Sequence, residues 1–215
     1  MINLTIYQFK CGKVVIAFIF LYMFITWMTN SLIFTDEYYY NFFSNQFSRD
    51  KIEKIIAISN RFKWIGYAIM PVILISKWTI LAFSLYVVLF LKSNVFSYIN
   101  CFKIILLSEI VMIFASLVKL LLLIFHTSKS IEEIQFISSF SLVQLFSIKQ
   151  IPNYLVYPLQ VFNLFEILYW ILIAAGIQAF SKKTFWESLK ITASSYGVVM
   201  FIWILFIVFI QLQFS

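Results

Sequence analysis

The sequence predicts an all-α, polytopic transmembrane helix bundle, organised as a single integral membrane domain over residues 1–215. Three observations carry this prediction. Hydrophobic residues make up 63% of the chain and charged residues only 12%. Mean hydropathy is +0.96, more apolar side chain than a soluble domain of this size can hide. Apolar runs recur along the chain at about 20 residues, the length a ~30 Å hydrocarbon core asks of a helix. About five such spans are expected.

The formal net charge of +7 raises nucleic acid as a partner. The basic residues, however, fall in short segments between apolar runs. Lipid headgroups are therefore the expected counterions, and no nucleic acid is expected. Cys11 and Cys101 stand alone, without a CxxC or a disulfide framework.

The first span covers residues 14–34, behind Lys10 and Lys13. A cleaved signal peptide is disfavoured because Trp27 and Met28 stand where small residues would be needed. Residues 35–63 form the longest charged segment and contain FSRDKIEKIIAISNRFK. Ser48 can cap a helix in which Ile52, Ile55, Ile56 and Phe62 recur at nearly helical spacing. Arg49, Lys51, Lys54, Arg61 and Lys63 fill much of the rest. This predicts an amphipathic helix over 49–63, lying in the membrane interface or on the protein's own bundle.

Residues 64–91 would make a helix about 42 Å long, more than a bilayer core needs. Pro71 and Lys77 interrupt the run, so a kinked span or a hairpin broken near 71–77 is expected. Residues 102–125 are the next span. There Ser108, Glu109, Met112, Ser116 and Lys119 share an arc of about 100° that should face inward. Residues 134–148 are too short and too polar to cross and predict an interfacial or re-entrant helix. The span at 157–180 follows Pro152 and opens with Pro158 near its start. It carries Phe162, Asn163, Glu166, Tyr169 and Trp170 on one face. The last span is 191–212. Ala175 with Ala179, and Ala193 with Gly197, are small-xxx-small pairs that permit close helix contact.

Orientation depends on how 64–91 runs. With five crossings the two sides carry equal numbers of Lys and Arg. One side holds Lys10, Lys13, Lys92, Lys103, Lys182, Lys183 and Lys190. The other holds Arg49, Lys51, Lys54, Arg61, Lys63, Lys129 and Lys149. A hairpin at 64–91 would break the tie, so the positive-inside rule favours the hairpin.

The intramembrane polar candidates are Lys77, Glu109, Ser116, Lys119, Asn163 and Glu166. Ionised groups in hydrocarbon are costly and must face the interior or one another. They either fix helix register or line a proton or cation path. Counted along the helices, Lys119 lies ~9 Å and Glu166 ~13 Å from the same side, so the two are expected to pair. His126 is the single histidine. No HExxH, P-loop, GxGxxG or GxSxG occurs, so no metal, cofactor or catalytic site is expected, and the protein reads as non-enzymatic.

Three stretches carry a resemblance: IPNYLVYPLQVFNLFEILYWILIAAGIQ, the basic break SKKTFWESLKI, and SSYGVVMFIWILFIVF. The C-terminal part of the chain resembles the Yip1 domain family of multi-pass membrane proteins. The resemblance implies five spans and a role in membrane organisation. Eukaryotic members act in vesicle trafficking with small GTPases. The soluble acidic N-terminal region of those members has no counterpart ahead of the first run here, so the resemblance does not extend to GTPase partnering. The expected function is a scaffold or accessory subunit for membrane organisation, trafficking, or a transport or secretion complex. The alternative is a small proton- or cation-coupled permease using Glu166 and Glu109. Expected partners are the lipid bilayer and other membrane subunits or a second copy. The short loops suggest the bacterial inner membrane.

Overall fold

The computed structural model describes residues 7, 9–44, 47–93, 96–125, 140–146, 151–181 and 183–213. They form α1 (Cys11–Leu32), α2 (Asp36–Phe43), α3 (Arg49–Ser93), α4 (Tyr98–Phe125), a 3₁₀ turn (Leu142–Leu145), α5 (Asn153–Val161), α6 (Leu164–Phe180), α7 (Phe185–Thr192) and α8 (Val198–Gln213). A π-helical turn, Ala193–Gly197, joins α7 to α8. The fold is an all-α bundle with no strand among the described residues. Four helices are long and apolar enough to cross a membrane: Cys11–Leu32, Arg49–Lys92, Tyr98–Phe125 and Phe185–Gln213. Leu164–Phe180 is a shorter apolar helix. The chain is an integral membrane protein by this measure.

The core lies where α3, α4 and α6 meet. Leu74, Trp78, Leu81, Ala82, Leu85 and Leu89 recur at three- and four-residue steps along α3 and are all buried. They pack with Cys101, Ile104 and Ile105 of α4 and with Tyr169, Ile173 and Ile177 of α6. Gly176 explains how closely α6 approaches. A Cβ there would meet Ile104 at 2.7 Å and the Tyr7 hydroxyl at 2.9 Å. The peripheral helices are barely covered: Ile25 is the one buried residue of α1, and Ile204 that of α8.

The expectations for 49–91 and for 157–180 are corrected. The stretches 49–63 and 64–91 are not separate elements. They form the single 45-residue helix α3, which runs unbroken through Pro71, so no hairpin forms. Pro71 removes one backbone donor, but the flanking turns hold the helix together. At ~1.5 Å per residue, α3 is about 67 Å long, over twice the hydrocarbon thickness, and its charged N-terminal third extends beyond the apolar run. There α2 packs along it. Tyr39 and Ser59 hydroxyls lie 3.0 Å apart, and the Tyr40 hydroxyl donates to Glu53 at 3.3 Å. Of the expected apolar stripe, Ile52 is buried, Ile55 and Ile56 are half-buried and Phe62 is exposed, so its first part lies on the protein's own bundle, one of the two expected arrangements.

The expected span 157–180 is also divided, with α5 ending at Val161 and α6 starting at Leu164. The broken backbone is satisfied by the segment at 140–142. Leu142 N–H donates to the Phe162 carbonyl at 3.0 Å, and Leu164 N–H donates to the Phe140 carbonyl at 3.2 Å. This meets the rule that irregular backbone at membrane depth must be paired within protein. Of the expected helix at 134–148, residues 140–146 show only this bridge and a 3₁₀ turn. The rest lies outside the described residues, as do His126, Lys129 and Lys149.

Candidate functional site

Two carboxylates sit at the centre of the bundle. Glu109, on the inward face of α4, is fully buried. Its Oε1 accepts from Lys77 Nζ of α3 at 2.7 Å and from the Tyr22 hydroxyl of α1 at 2.6 Å. One oxygen thus ties three helices together through charge-assisted bonds, which are shorter and stronger than neutral ones. Its Oε2 has no hydrogen-bond partner among the described residues.

Glu166 lies in the first turn of α6. Asn163 sets this position by capping the helix: its side-chain oxygen accepts from Glu166 N–H at 2.9 Å. The Asn163 amide donates back to the Gln160 and Val161 carbonyls, both at 3.1 Å, and so caps the end of α5 too. Glu166 Oε1 accepts from the Tyr196 hydroxyl at 2.5 Å and from Trp170 Nε1 at 3.0 Å. Tyr196 belongs to the π turn, which bulges the α7–α8 helix toward α6. Gly197 beside it leaves room for the Trp170 ring, which a Cβ would meet at 2.8 Å. Ser84 of α3 donates to the Ser195 carbonyl at 3.1 Å and holds the turn from the other side.

Tyr169 stands between the two acids. It is fully buried, its ring lies 5.0 Å from that of Tyr196, and among the described residues its hydroxyl has no hydrogen-bond partner. The phenol lies in the field of Glu109, Glu166, Tyr196 and Tyr22. Lys77 is within Coulombic range of Glu166 as well as Glu109. The result is two hydrogen-bonded groups, Lys77–Glu109–Tyr22 and Trp170–Glu166–Tyr196, close enough for their charges to interact and so taken together as one polar cluster.

Set against the sequence, the cluster gathers Lys77, Glu109, Asn163 and Glu166 and leaves out two candidates. Ser116 is half-buried and returns its hydroxyl to the Met112 carbonyl at 2.9 Å. Lys119 is exposed and does not pair with Glu166. The expected pair fails because its depth was counted along one continuous helix from Tyr157. The break at Phe162–Asn163 resets that count, and a tyrosine takes the place of the lysine. Of the small-residue pairs, Ala175 and Ala179 are half-buried, Ala179 packs against the core, and Gly176 between them sits at a close contact. Ala193 is exposed, so only Gly197 of the second pair sits at a close contact. Tyr22 and Tyr196 were not anticipated. Each is a polar tip inside an otherwise apolar run, a weak signal in a chain with 12 tyrosines.

Among the described residues, no group of three or more His, Cys, Asp or Glu could hold a metal ion. No protein-family model, curated protein or solved structure matches the chain. Chemically, the cluster can hold opposite charges in register across three helices, α3, α4 and α6, with tyrosine hydroxyls from α1 and the π turn completing it.

Proposed function

We propose that this is a non-enzymatic, Yip1-like scaffold or accessory subunit that meets a membrane partner, or a second copy of itself, across the Lys77 face of α3. One observation carries the reading. Lys77 lies thirteen residues past Trp64, about 20 Å into the apolar run. Its side chain is nevertheless 39% exposed while its ammonium pairs with a fully buried carboxylate. A lysine stem of about 6 Å cannot snorkel to either interface from that depth. Its aliphatic stem tolerates lipid, but whatever part of the ammonium is left uncovered does not, and a neighbouring helix would cover it. Ile73 and Ile80, one turn to either side, are 60% and 55% exposed on the same helix. A bacterial inner-membrane location goes with this reading, in keeping with the short α3–α4 and α6–α7 connections.

The test is photocrosslinking in native membranes from positions 73 and 80, with Phe209 of α8 as the reference site. Discrete protein adducts from 73 and 80 but not from 209 support the reading; lipid adducts alone at 73 and 80 overturn it.

A second reading is favoured by the unpaired Glu109 Oε2 and Tyr169 hydroxyl. Buried polar atoms without partners occur where a proton or cation is passed. On that reading the protein is a small permease, and proteoliposomes should show pH-dependent flux that Glu109→Gln and Glu166→Gln both abolish. Absence of flux from the unaltered protein removes it.

A further inference from the structure

A cavity of about 340 Å³ lies away from the charged cluster, where the end of α1, α2 and the middle of α3 converge. Its polar wall includes Lys63, Asn60, Ser59 and Tyr39, and Phe34 and Phe62 complete the sides. Its level in the membrane is fixed by the surrounding residues. The charged part of α3 ends at Lys63 and the apolar run begins at Trp64. Trp64 is 66% exposed and Trp27 of α1 is 56% exposed, as expected for rings at the headgroup boundary. Asn30, another wall residue, donates to the Tyr67 hydroxyl at 3.0 Å and ties the end of α1 to α3 at this height.

We propose that this cavity binds the phosphate of an anionic phospholipid headgroup. Lys63 is exposed and, among the described residues, makes no ion pair, so its charge is available to an anion. The Asn60 amide is a hydrogen-bond donor of the kind that fixes phosphate oxygens, and the Tyr39–Ser59 hydroxyl pair, which uses one of its two protons on its own 3.0 Å bond, has one O–H left to donate. Asp36 and Glu37 at the start of α2 are exposed and do not line the cavity. The volume lies within the range of small-molecule sites. A free phosphate shares this chemistry. The lipid is favoured because the cavity opens at headgroup level and has aromatic walls suited to the glycerol and upper acyl chain.

The experiment uses the full chain in nanodiscs of phosphatidylcholine, with and without phosphatidylglycerol, read by native mass spectrometry of retained lipid. Retained phosphatidylglycerol is expected. Lys63→Gln should weaken retention about fivefold, the effect of removing one basic residue near the surface. Gly66→Leu should abolish it. Gly66 lines the cavity and no atom lies within 4 Å of an added Cβ, so the larger side chain enters open space. Lys92→Gln, at the far end of α3, should leave retention unchanged and controls for general charge loss. Equal retention in Lys63→Gln overturns the site, as does an equal loss in Lys92→Gln. Inorganic phosphate that displaces the lipid at low millimolar concentration overturns the lipid as its source. Should Gly66→Leu fail to fold, the comparison of Lys63→Gln with Lys92→Gln decides the matter alone.

Discussion

At the scale of single residues, Glu109 is the pivot of the bundle. Its Oε1 takes two donors from two other helices, at 2.6 and 2.7 Å. Removing one member of a fully buried ion pair costs ~3–5 kcal/mol because the remaining charge is stranded. The partial exposure of Lys77 lowers that figure, and about 2–3 kcal/mol is expected for Lys77→Met. Tyr22→Phe removes one hydrogen bond and should cost about 1 kcal/mol, in line with polar contacts inside membranes. Lys77→Met combined with Glu109→Gln should be milder than the sum of the two single changes. Unfolding in detergent, read as a double-mutant cycle, checks this. Additive losses would show that the pair contributes nothing beyond its separate parts.

At the scale of elements, the decisive feature is the junction between α5 and α6. The Asn163 side chain accepts one backbone hydrogen bond and donates two, closing both helix ends at once. Asn163→Ala should therefore cost about 1–2 kcal/mol and raise amide hydrogen exchange at residues 164–166. Asn163→Asp keeps the cap acceptor and loses both donated bonds, so it should fall between the two. Exchange unchanged in Asn163→Ala would show that the 140–142 bridge holds the junction unaided. This junction was legible in the sequence. Asn163 and Glu166 have the spacing of a helix start, as do Thr184 and Glu187, which form a full capping box ahead of α7. Hydropathy obscured the first, because an apolar run looks the same whether it is one helix or two. The inward stripe of α4 was readable from Ser108 and Glu109, since periodicity marks a face. Periodicity does not say how far along a helix its neighbours reach, and this is why Lys119 emerges on the surface. Pro71 misled in the opposite direction: a helix with hydrogen-bonded turns on both sides carries a proline without breaking.

At the scale of the whole molecule, the question is how α3 relates the two ends of the bundle. Ring contacts Tyr7–Phe180 and Phe96–Phe180 gather the N-terminal segment, the α3–α4 turn and the α6–α7 turn at one end. Arg49, at the start of α3, belongs to the opposite end, because α3 runs the full height without reversing. Among the described residues, Lys10, Lys13, Lys92, Lys103, Lys183 and Lys190 then stand toward one end and Arg49, Lys51, Lys54, Arg61 and Lys63 toward the other, so the positive-inside rule gives no clear preference. A hairpin would have placed both ends of 64–91 on one side and produced the charge bias that the continuous helix removes. The two arrangements differ sharply in one distance. Lys54 and Lys92 are both exposed and both lie on α3. A continuous helix separates their backbones by about 57 Å, and a 30° bend at Pro71 would shorten this by only about 2 Å. A hairpin would bring them within about 20 Å, the reach of adjacent packed helices and their flanking turns. Spin labels at Lys54→Cys and Lys92→Cys, in a background of Cys11→Ser and Cys101→Ala, should give the long distance by pulsed electron resonance in nanodiscs. The same two cysteines should react with an impermeant maleimide from opposite sides of the membrane. A short distance together with same-side labelling would replace the continuous helix with the hairpin. It would also restore the charge bias and shift the lipid cavity beside Lys63 to the same side as the α6–α7 turn.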